Sequence, residues 1–495
     1  MGILSAISRK LAAWNVYQTH RWSRRAVELQ ESLLKKLVRQ AVGTSFGKEH
    51  HFNSIQSYQD FKNNVPVRDY EGLIPYVERV KSGEADVLWP GKPLYLAKTS
   101  GTTSGTKYIP ITHDSVSNHI NSTRDALLNY IHETGKSNFL DGKMIFISGS
   151  PALDKQNGLL TGRLSGIVNH HVPGYLRRHQ LPGYQTNTIE DWEEKIDAIV
   201  AETMHQDMRF ISGIPPWVQM YFDRLMEKSG KSISQLFPNF SLFVYGGVNF
   251  EPYRKKLEQS IGKKIDSIEL YPASEGFIGY QYRQNEPGLL LMLNSGIFYE
   301  FILASEYYQP NPTRISLRDV QLGINYALII NSNAGLWGYS LGDTIKFISK
   351  DPYRIIVTGR IKQFLSASGE HVIVEEVERA ISEASALQHA GVVEFTVAPQ
   401  LDPPEGGLPY HEWFIEFDRI PEDIEAFSSA IDKSMQRQNS YYRDLIAGHM
   451  LQSLKIRPLK SGAFREYMRR LGKLGGQNKV PRLSNDRSIA QSLSV

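Results

Sequence analysis

Short runs of apolar, β-prone residues alternate with longer amphipathic stretches along most of the chain. Four of these runs predict buried strands, at positions 144–147, 242–245, 268–271 and 327–330. Apolar residues at helical spacing predict helices at positions 192–204, 217–228 and 375–386. Because strands that alternate with helices build sheets covered by helices, this pattern predicts an α/β fold.

Composition excludes several classes of protein. The chain has 495 residues, no cysteine, and 56 basic against 52 acidic side chains, a net charge of +4. The lack of cysteine rules out disulfide scaffolds, thiol nucleophiles and thiolate metal sites, and favours a cytoplasmic protein. So dilute a positive charge does not indicate a nucleic-acid binder, and we expect no nucleic-acid partner.

The sequence pattern changes after about residue 359. From there it predicts a compact series of helix, strand, loop, strand and helix. We therefore predict a large N-terminal domain at 1–361 and a small α/β domain at 362–495. The segment 362–366 is a candidate hinge between them. The polar residues after Pro481 are expected to be frayed.

The N-terminal segment 3–42 combines helical spacing of apolar residues with interleaved basic residues. No stretch of the chain has the roughly 18 uninterrupted apolar residues of a spanning helix, so we predict no membrane span. Two interpretations of the segment stay open. It is a helical lid packed on the main domain, or a helix that lies on a membrane surface.

A segment rich in hydroxyls and glycines lies between two β-prone runs, 94–98 and 108–112. Its residues are Thr99, Ser100, Gly101, Thr102, Thr103, Ser104 and Gly105, followed shortly by Lys107. It is not a Walker loop, because its two glycines are one residue too close together. Glycines let backbone N–H groups approach phosphate oxygens, hydroxyls donate hydrogen bonds, and a lysine adds positive charge. The segment predicts a phosphate-binding loop, although an ordinary surface loop can have the same composition.

Two further motifs follow predicted strands. The strand at 242–245 ends in Gly246 and Gly247, a turn against which a flat base can lie. The strand at 268–271 ends in Tyr271, and Glu275 follows four residues later. A tyrosine ring can stack on adenine, and a glutamate can hold Mg²⁺ on phosphate oxygens.

Two charged residues follow glycines farther along the chain. Asp343 comes after Gly342 and suits the two hydroxyls of a ribose, whereas Arg360 comes after Gly359. Taken singly, Asp343 could be an ordinary turn residue and Arg360 part of a surface ion pair. The whole set of motifs, in this order and at this spacing, is much less likely to arise by chance than any single motif.

Taken in order, the motifs at 100–105, 246–247, 271–275, 339–343 and 359–360 resemble those of the adenylate-forming superfamily of acyl-CoA ligases and luciferases. The closer resemblance is to its auxin-responsive acyl acid amido synthetase family, which conjugates plant hormones and has bacterial relatives. This narrower likeness depends on the Tyr-x-x-Ser-Glu form of the acidic motif and the closing segments 462–464 and 475–482. It also depends on the residue before Lys107, which is not a proline in this chain.

The resemblance implies a luciferase-like adenylate-forming fold. Its large N-terminal domain has β-sheets flanked by helices and a small β-barrel, and its smaller α/β C-terminal domain is mobile. The implied reaction uses ATP and Mg²⁺ to convert a carboxylic acid into an acyl-adenylate, from which an amine, usually an amino acid, forms an amide. Two alternatives stay open: an acyl-CoA ligase with the same first step, and a catalytically silent nucleotide-binding protein.

The resemblance also implies roles for single residues. Glu275 would hold Mg²⁺, and Lys479 would meet the α-phosphate or the adenylate, so these two are the catalytic candidates. The segment from Thr99 to Gly105 would hold the phosphates, and Asp343 the ribose hydroxyls with Arg360 beside it. The residues expected around adenine and ribose are Gly246, Gly247, Tyr271, Ala273 and Ser274.

The acid pocket is less clearly marked than the nucleotide motifs. Segments 148–151, 164–171 and 214–217 lie between those motifs and carry apolar and aromatic side chains that could line a pocket or simply pack in the core. The adjacent His170 and His171 could act as a base or bind a metal. Without a third ligand at suitable spacing, an ordinary structural role is favoured for both histidines.

Overall fold

The structure is a computed structural model that describes residues 3–102, 105–247, 250–361, 364–365, 372–401, 403–447, 450–474, 479–484 and 487–493. The chain divides into two compact units. The first contains Met1–Val248 and Ser260–Ile356, and the second contains Asn249–Gln259 and Val357–Val495. The domain boundary expected between 361 and 362 stays a prediction, because residues 362 and 363 lie outside the described part of the chain.

Helices account for much of the first unit. They are α1 (Ile3–Ser23), α2 (Ala26–Ala41), α3 (Ser45–Glu49), α4 (Tyr58–Asn64), α5 (Tyr70–Lys81), α6 (His113–Thr134), α7 (Leu164–His170), α8 (Gly174–Arg177), α9 (Tyr184–Asn187), α10 (Trp192–Thr203), α11 (Pro215–Ser229) and α12 (Ile233–Leu236). Helix α13 (Glu251–Ile261) belongs mostly to the second unit. Short 3₁₀ turns occur at Phe52–Ser54, Asn138–Asp141, Ala304–Glu306 and Leu317–Asp319.

Local sequence explains where several of these helices begin. Asp191 accepts a hydrogen bond from the backbone N–H of Glu194 and caps α10, the helix expected at 192–204. Helix α11, expected at 217–228, begins two residues earlier because Pro215 suits a first helical turn. Thr112 and Ser115 form a reciprocal capping box at the start of α6.

The strands run from β1 to β21 in chain order. They are β1 (Tyr95–Thr102), β2 (Gly105–Ile111), β3 (Lys143–Ile147), β4 (Asp154–Gln156), β5 (Leu159–Gly162), β6 (Gln180–Leu181), β7 (Met208–Gly213), β8 (Leu242–Gly246), β9 (Asp266–Ala273), β10 (Gly276–Gln281), β11 (Leu289–Leu291), β12 (Ile297–Leu303), β13 (Arg314–Ser316), β14 (Asn325–Ser332), β15 (Tyr339–Lys350), β16 (Tyr353–Arg360), β17 (Phe364–Leu365), β18 (Val372–Ile373), β19 (Gly391–Gln400), β20 (Tyr410–Arg419) and β21 (Lys455–Leu459). The four strands expected from the sequence correspond to β3, β8, β9 and β14, but the expectation of burial was wrong for most of 268–271 in β9, where only Ile268 is buried.

Twelve of the described strands form one large mixed sheet. Their spatial order is β13-β12-β14-β15-β16-β11-β10-β9-β8-β7-β3-β6. At one end β6, β3, β7, β8 and β9 run parallel, and helices connect several of these strands. Antiparallel pairing joins β9 to β10, β10 to β11 and β11 to β16, and also joins β12 to β13 and β14. The sheet therefore changes from parallel to antiparallel at β9, beside the predicted acidic motif.

A smaller sheet of the first unit has the order β2-β1-β5-β4. Strands β1 and β2 form an antiparallel hairpin, and β1 pairs in parallel with β5. The main core of the unit includes Phe46, Phe61, Phe298 and Trp337, each at most 1% exposed. This core draws residues from the two N-terminal helices following α1, from the small sheet and from the antiparallel half of the large sheet.

The second unit is a small α/β structure. Its three-stranded sheet has the order β19-β20-β21, and its remaining helices are α14 (Val374–Leu387), α15 (Ile424–Gln438), α16 (Ser440–Ala447), α17 (Ala463–Arg470) and α18 (Ser488–Leu493). Phe395, Trp413 and Phe427 lie in its core. The expectation of a frayed end was wrong for 488–493, because Ile489, Ala490 and Leu493 of α18 are buried.

No helix in the described part of the chain is both long and apolar enough to cross a membrane.

Candidate active site

Four candidate segments follow neighbouring parallel strands of the large sheet. Segment 148–151 follows β3, 214–217 follows β7, Gly246 and Gly247 end β8, and 271–275 ends β9. Register pairs Ile147 with Gly213 and Gly246 with Leu270, so the strand ends lie near one level. The carboxyl ends of parallel strands form one edge of a sheet, which is where open α/β sheets bind ligands. The fold thus gathers segments that are up to 127 residues apart in the chain, from 148 to 275.

Two hydrogen bonds join the acidic motif at 271–275 to β15. The Tyr271 hydroxyl donates to Asp343 Oδ2 at 2.5 Å, and the Tyr339 hydroxyl donates to Glu275 Oε1 at 3.0 Å. In each motif the tyrosine and the carboxylate are four residues apart, and the two motifs pair reciprocally. The structure therefore brings together two predicted carboxylates, Glu275 and Asp343, that are 68 positions apart.

A bulge in β15 accompanies the position of Asp343. Its neighbour β14 pairs Ala327 with Thr344 and Ile329 with Ser340, so β15 advances four residues while β14 advances two. Gly342 has φ of +82°, a conformation that favours glycine. Such bulges redirect side chains. Asp343 remains only 8% exposed, so its carboxylate is held in a largely buried position.

Glu275 lies in the tight turn between β9 and β10. Ala273 pairs with Gly276, which leaves only Ser274 and Glu275 in the connection. Ser274 is 7% exposed, whereas Glu275 is half-buried. A two-residue connection between paired strands restricts the direction of both side chains, and Tyr339 restricts the glutamate further.

The glycines after β8 have separate structural reasons. A Cβ on Gly246 would lie 2.5 Å from the backbone oxygen of Leu270, so only glycine allows β8 and β9 to approach this closely. Gly247 has φ of +82°, which favours glycine on conformational grounds. Between them, these residues keep the ends of β8 and β9 free of side-chain bulk.

The hydroxyl-rich segment is a hairpin rather than a long loop. Pairing of β1 with β2 extends to Thr102 and Gly105, with an irregularity between Thr99 and Thr102. Thr103 and Ser104 lie outside the described residues. The Lys107 ammonium lies 5.4 Å from the centre of the Tyr70 ring, in a cation–π arrangement that holds its side chain at the base of the hairpin.

Two of the predicted site residues belong to the second unit. Arg360 is exposed at the end of β16, and Lys479 is exposed after α17. Before Arg360, Gly359 has φ of +143°, and a Cβ there would lie 2.9 Å from that of Val374. The roles of Arg360 and Lys479 stay predictions.

A cationic cluster beside segment 148–151 was missed in the sequence. Lys195 is 3% exposed and donates to the carbonyl oxygens of Ser148 at 3.1 Å and Asn187 at 2.6 Å. Burial, together with the positive charge of Arg163, lowers the pKa of Lys195 to about 8. Within the described part of the chain, the Arg163 side chain forms no hydrogen bond or ion pair, and the buried Ser165 hydroxyl has no partner.

The signal for this cluster was present in the amphipathic pattern of α10. Trp192, Lys195, Ile196 and Ile199 occupy one helical face, so the lysine interrupts an otherwise apolar stripe. A lysine at such a position is buried and must find polar partners. The position of Arg163 carries no comparable signal, because it depends on the approach of β5 and α7 to Gly149. A Cβ on Gly149 would lie 2.6 Å from Arg163 Cδ.

The paired histidines have ordinary hydrogen bonds. His171 Nε2 lies 3.0 Å from the Tyr95 hydroxyl, and His170 Nε2 lies 2.9 Å from the carbonyl oxygen of Pro151. Burial lowers the pKa of His171, and the adjacent His170 lowers it further. Among the described residues, no group of three or more His, Asp or Glu side chains could hold a metal ion by itself.

Comparison with known proteins identifies the family. Sequence models of the GH3 family N-terminal, central and C-terminal domains match residues 16–181, 290–360 and 375–488. Indole-3-acetic acid-amido synthetase GH3.15 of Arabidopsis thaliana is 32% identical over 436 residues, which cover 73% of this chain and 72% of the relative. The chain belongs to the GH3 family.

Two further comparisons extend over nearly the whole GH3 chain. Jasmonoyl-L-amino acid synthetase JAR4 of Nicotiana attenuata is 23% identical over 547 residues, covering 95% of this chain and 93% of the relative. The solved structure of GH3.15 acyl acid amido synthetase superimposes with a TM-score of 0.79 at 17% identity, covering 97% of this chain and 95% of that one. The family and the fold class expected from the motifs are thereby confirmed.

Proposed function

We propose that this GH3 protein is an ATP-dependent acyl acid amido synthetase, a ligase that forms AMP and pyrophosphate. An oxygen of the acid's carboxylate attacks the α-phosphorus of ATP, and pyrophosphate leaves as the acyl-adenylate forms. The nitrogen of an amine then attacks the acyl carbonyl, AMP leaves, and the nitrogen loses a proton. The names of the two relatives support this reaction, since one is an acid-amido synthetase and the other an acyl-amino acid synthetase.

Within the site, the main support for this function is a pair of tyrosine–carboxylate hydrogen bonds. The paired hydrogen bonds of Tyr271 with Asp343 and of Tyr339 with Glu275 hold two carboxylates near the ends of parallel strands. A nucleotide needs an acceptor for its ribose hydroxyls and, some distance away, a metal ligand near its phosphates. Two carboxylates fixed by separate tyrosines fit these two requirements.

We assign Asp343 to the ribose hydroxyls. Asp343 accepts a hydrogen bond from Tyr271 through Oδ2, and an ionised carboxylate has several lone pairs with which to accept the two hydroxyls of a ribose. The Tyr271 ring, held by its own hydroxyl, offers a face to the adenine. Gly246 and Gly247 would let the base approach the backbone, with Ala273 and Ser274 completing this part of the site.

We assign Glu275 to Mg²⁺. Magnesium is usually bound by one or two protein carboxylates together with substrate phosphates and water, so a lone glutamate beside ATP fits this ion. Within the described residues, Glu275 accepts from Tyr339 through Oε1, which leaves its other oxygen available to a metal. When bound, the ion would neutralise charge that develops on the phosphates.

The remaining cations would act on the phosphates. Donors to the α-phosphate would come from the hairpin between Thr99 and Gly105, with Lys107 at its base. Lys479 of the second unit would meet the α-phosphate in the first step, and Arg360 would lie beside the ribose. We further propose that 362–495 form the mobile C-terminal domain and that the protein works in the cytoplasm.

The cationic cluster of Arg163 and Lys195 supports a place for the organic substrates. It adjoins the end of β3, which is three strands from β9 and, at about 4.8 Å per strand, roughly 14 Å away. Two sequestered cations without a carboxylate partner in the described structure suit the carboxylate of an acid or an amino acid. We infer that these substrates enter beside segment 148–151.

The decisive experiment is ATP–pyrophosphate exchange with a panel of carboxylic acids, followed by mass spectrometry with mixed amino acids. We expect exchange with a subset of acids and a new amide when amino acids are added. In a parallel reaction that also contains coenzyme A, formation of an acyl-CoA without any amide would instead favour an acyl-CoA ligase. No exchange with any acid would favour a silent nucleotide-binding protein.

A further inference from the structure

Helix α1 presents an unusual division of residues between its two sides. Its buried side contains small or polar residues, each at most 8% exposed, and these are Ser8, Ala12, Asn15, Val16, Thr19 and Ser23. Ala12 packs in a core with Tyr130 and Phe139, and Arg9 donates to the carbonyl oxygen of Gly135 at 2.8 Å. The helix therefore packs on the first unit, as the lid interpretation predicts.

Four large apolar residues of the same helix lie on its outer side, whereas Trp22 is half-buried and packs against the cores of the first unit. Ile7 is 52% exposed, Leu11 51%, Trp14 61% and Tyr17 59%. Spacings of three and four residues place all of them on one stripe of an α-helix. We name this stripe the α1 outer face. It reverses the usual arrangement, in which a surface helix directs its apolar side inward.

Positive charge accompanies these apolar side chains. Lys10 and Arg21 are exposed, and helical spacing places them on the α1 outer face. The guanidinium of Arg21 lies 5.9 Å from the centre of the Tyr17 ring. Residues 1–27 contain five basic side chains, Arg9, Lys10, Arg21, Arg24 and Arg25, and no acidic one.

We propose that the α1 outer face docks the protein on an anionic lipid surface, with α1 lying flat on it. Leucine and isoleucine would enter the boundary of the acyl chains, whereas tryptophan and tyrosine prefer the interface with the headgroups. Lys10 and Arg21 would contact anionic headgroups. A second copy of the chain fits less well, because a two-fold contact through this face would bring like charges together.

The test is sedimentation of the full chain with phosphatidylcholine vesicles, with and without phosphatidylglycerol. We expect binding only when phosphatidylglycerol is present, and weaker binding at high salt. The double variant Leu11→Glu/Trp14→Glu should lower the apparent partition constant by at least about tenfold. Lys10→Gln and Arg21→Gln should each lower it by about fivefold.

Matched surface variants provide the controls. Ile420→Glu replaces another exposed apolar residue, 65% exposed, and Lys433→Gln replaces an exposed cation of α15; both should bind like the wild type. All variants should keep the wild-type melting temperature, since each site is exposed. Equal binding to neutral vesicles, no binding to anionic ones, or a dimer that Leu11→Glu/Trp14→Glu dissociates would each overturn the proposal.

Discussion

Asp343 combines a buried carboxylate with a hydroxyl donor, Tyr271, that is 72 positions away in the chain. Replacing Asp343 by asparagine keeps the size of the side chain. It removes the negative charge that would strengthen the hydrogen bonds from the ribose hydroxyls. We expect Asp343→Asn to raise the dissociation constant for ATP at least about tenfold, because hydrogen bonds to charged groups contribute most. Isothermal titration with ATP measures the change.

The matched control for Asp343 is Tyr271→Phe. This variant removes the hydrogen bond to the carboxylate but keeps an aromatic ring for adenine, so its loss of ATP affinity should be only a few-fold. An unchanged ATP affinity in Asp343→Asn would remove the aspartate from the site. If both variants lost equal affinity for ATP, that affinity would depend on the hydrogen bond between Tyr271 and Asp343 and not on the charge of the aspartate.

Lys195 gives a prediction that depends on pH. Burial lowers its pKa from 10.5 to about 8, so over the interval between these values the unfolded chain binds more protons than the folded one. This lysine therefore makes stability rise with pH across that interval. We expect the melting temperature of the wild type, relative to Lys195→Met, to increase between about pH 8 and pH 10.

An exposed lysine supplies the comparison for Lys195. Lys433→Met should give a melting curve whose pH dependence parallels that of the wild type, because Lys433 is exposed on α15. Parallel curves for Lys195→Met as well would contradict the lowered pKa. Taking the difference between variants cancels the titration of tyrosines, which also ionise near pH 10.

At the level of elements, the approach of β8 to β9 depends on Gly246. A Cβ there would lie 2.5 Å from the backbone oxygen of Leu270, and the strands cannot part without breaking their parallel pairing. We expect Gly246→Ala to lower the free energy of unfolding by about 1–3 kcal/mol. Gly43→Ala, where no atom lies within 4 Å, should change it by less than about 0.5 kcal/mol. Chemical denaturation measures both, and equal effects would contradict the close approach.

The elements that the sequence predicted well share one property. Strands β8 and β14 are runs of consecutive buried residues, β3 is buried at three of its five positions, and α10, α11 and α14 have regular apolar stripes. Their signals are local. The sequence did not predict antiparallel strands whose partners are distant in the chain. One such pair is β11 and β16, whose paired residues Leu289 and Ile355 are 66 positions apart.

The candidate site shows the same limit. Its motifs were readable because each lies within a few consecutive residues. The hydrogen bond from Tyr339 to Glu275 and the placement of Arg163 near Lys195 arise only when separate elements pack together. Glu275 was thus recognisable from its own motif, whereas its hydrogen bond with Tyr339 was not.

For the whole molecule, the chain passes between the two units three times. Besides the passage after Ile356, it enters the second unit at Asn249 and leaves it after Gln259. Within the second unit, the Tyr253 hydroxyl donates to Glu394 Oε2 at 3.2 Å and accepts from Arg482. The segment 249–259 would therefore travel with the second unit in any rotation, which the sequence did not indicate.

The segment 362–366 is the candidate hinge between the two domains. Residues 362, 363 and 366 lie outside the described part of the chain, and proline at 362 would fix φ and remove a backbone donor there. We expect Lys362→Pro to keep pyrophosphate exchange within about threefold while slowing amide formation from preformed adenylate at least about tenfold. Lys362→Ala removes the ammonium but leaves the backbone free, and it should leave both rates near wild type. Equal losses in both half-reactions would refute the hinge. An alanine variant as slow as the proline variant would assign the effect to the lysine side chain, and the three passages between the units, at 248–249, 259–260 and 356–357, would then be the candidate places for rotation.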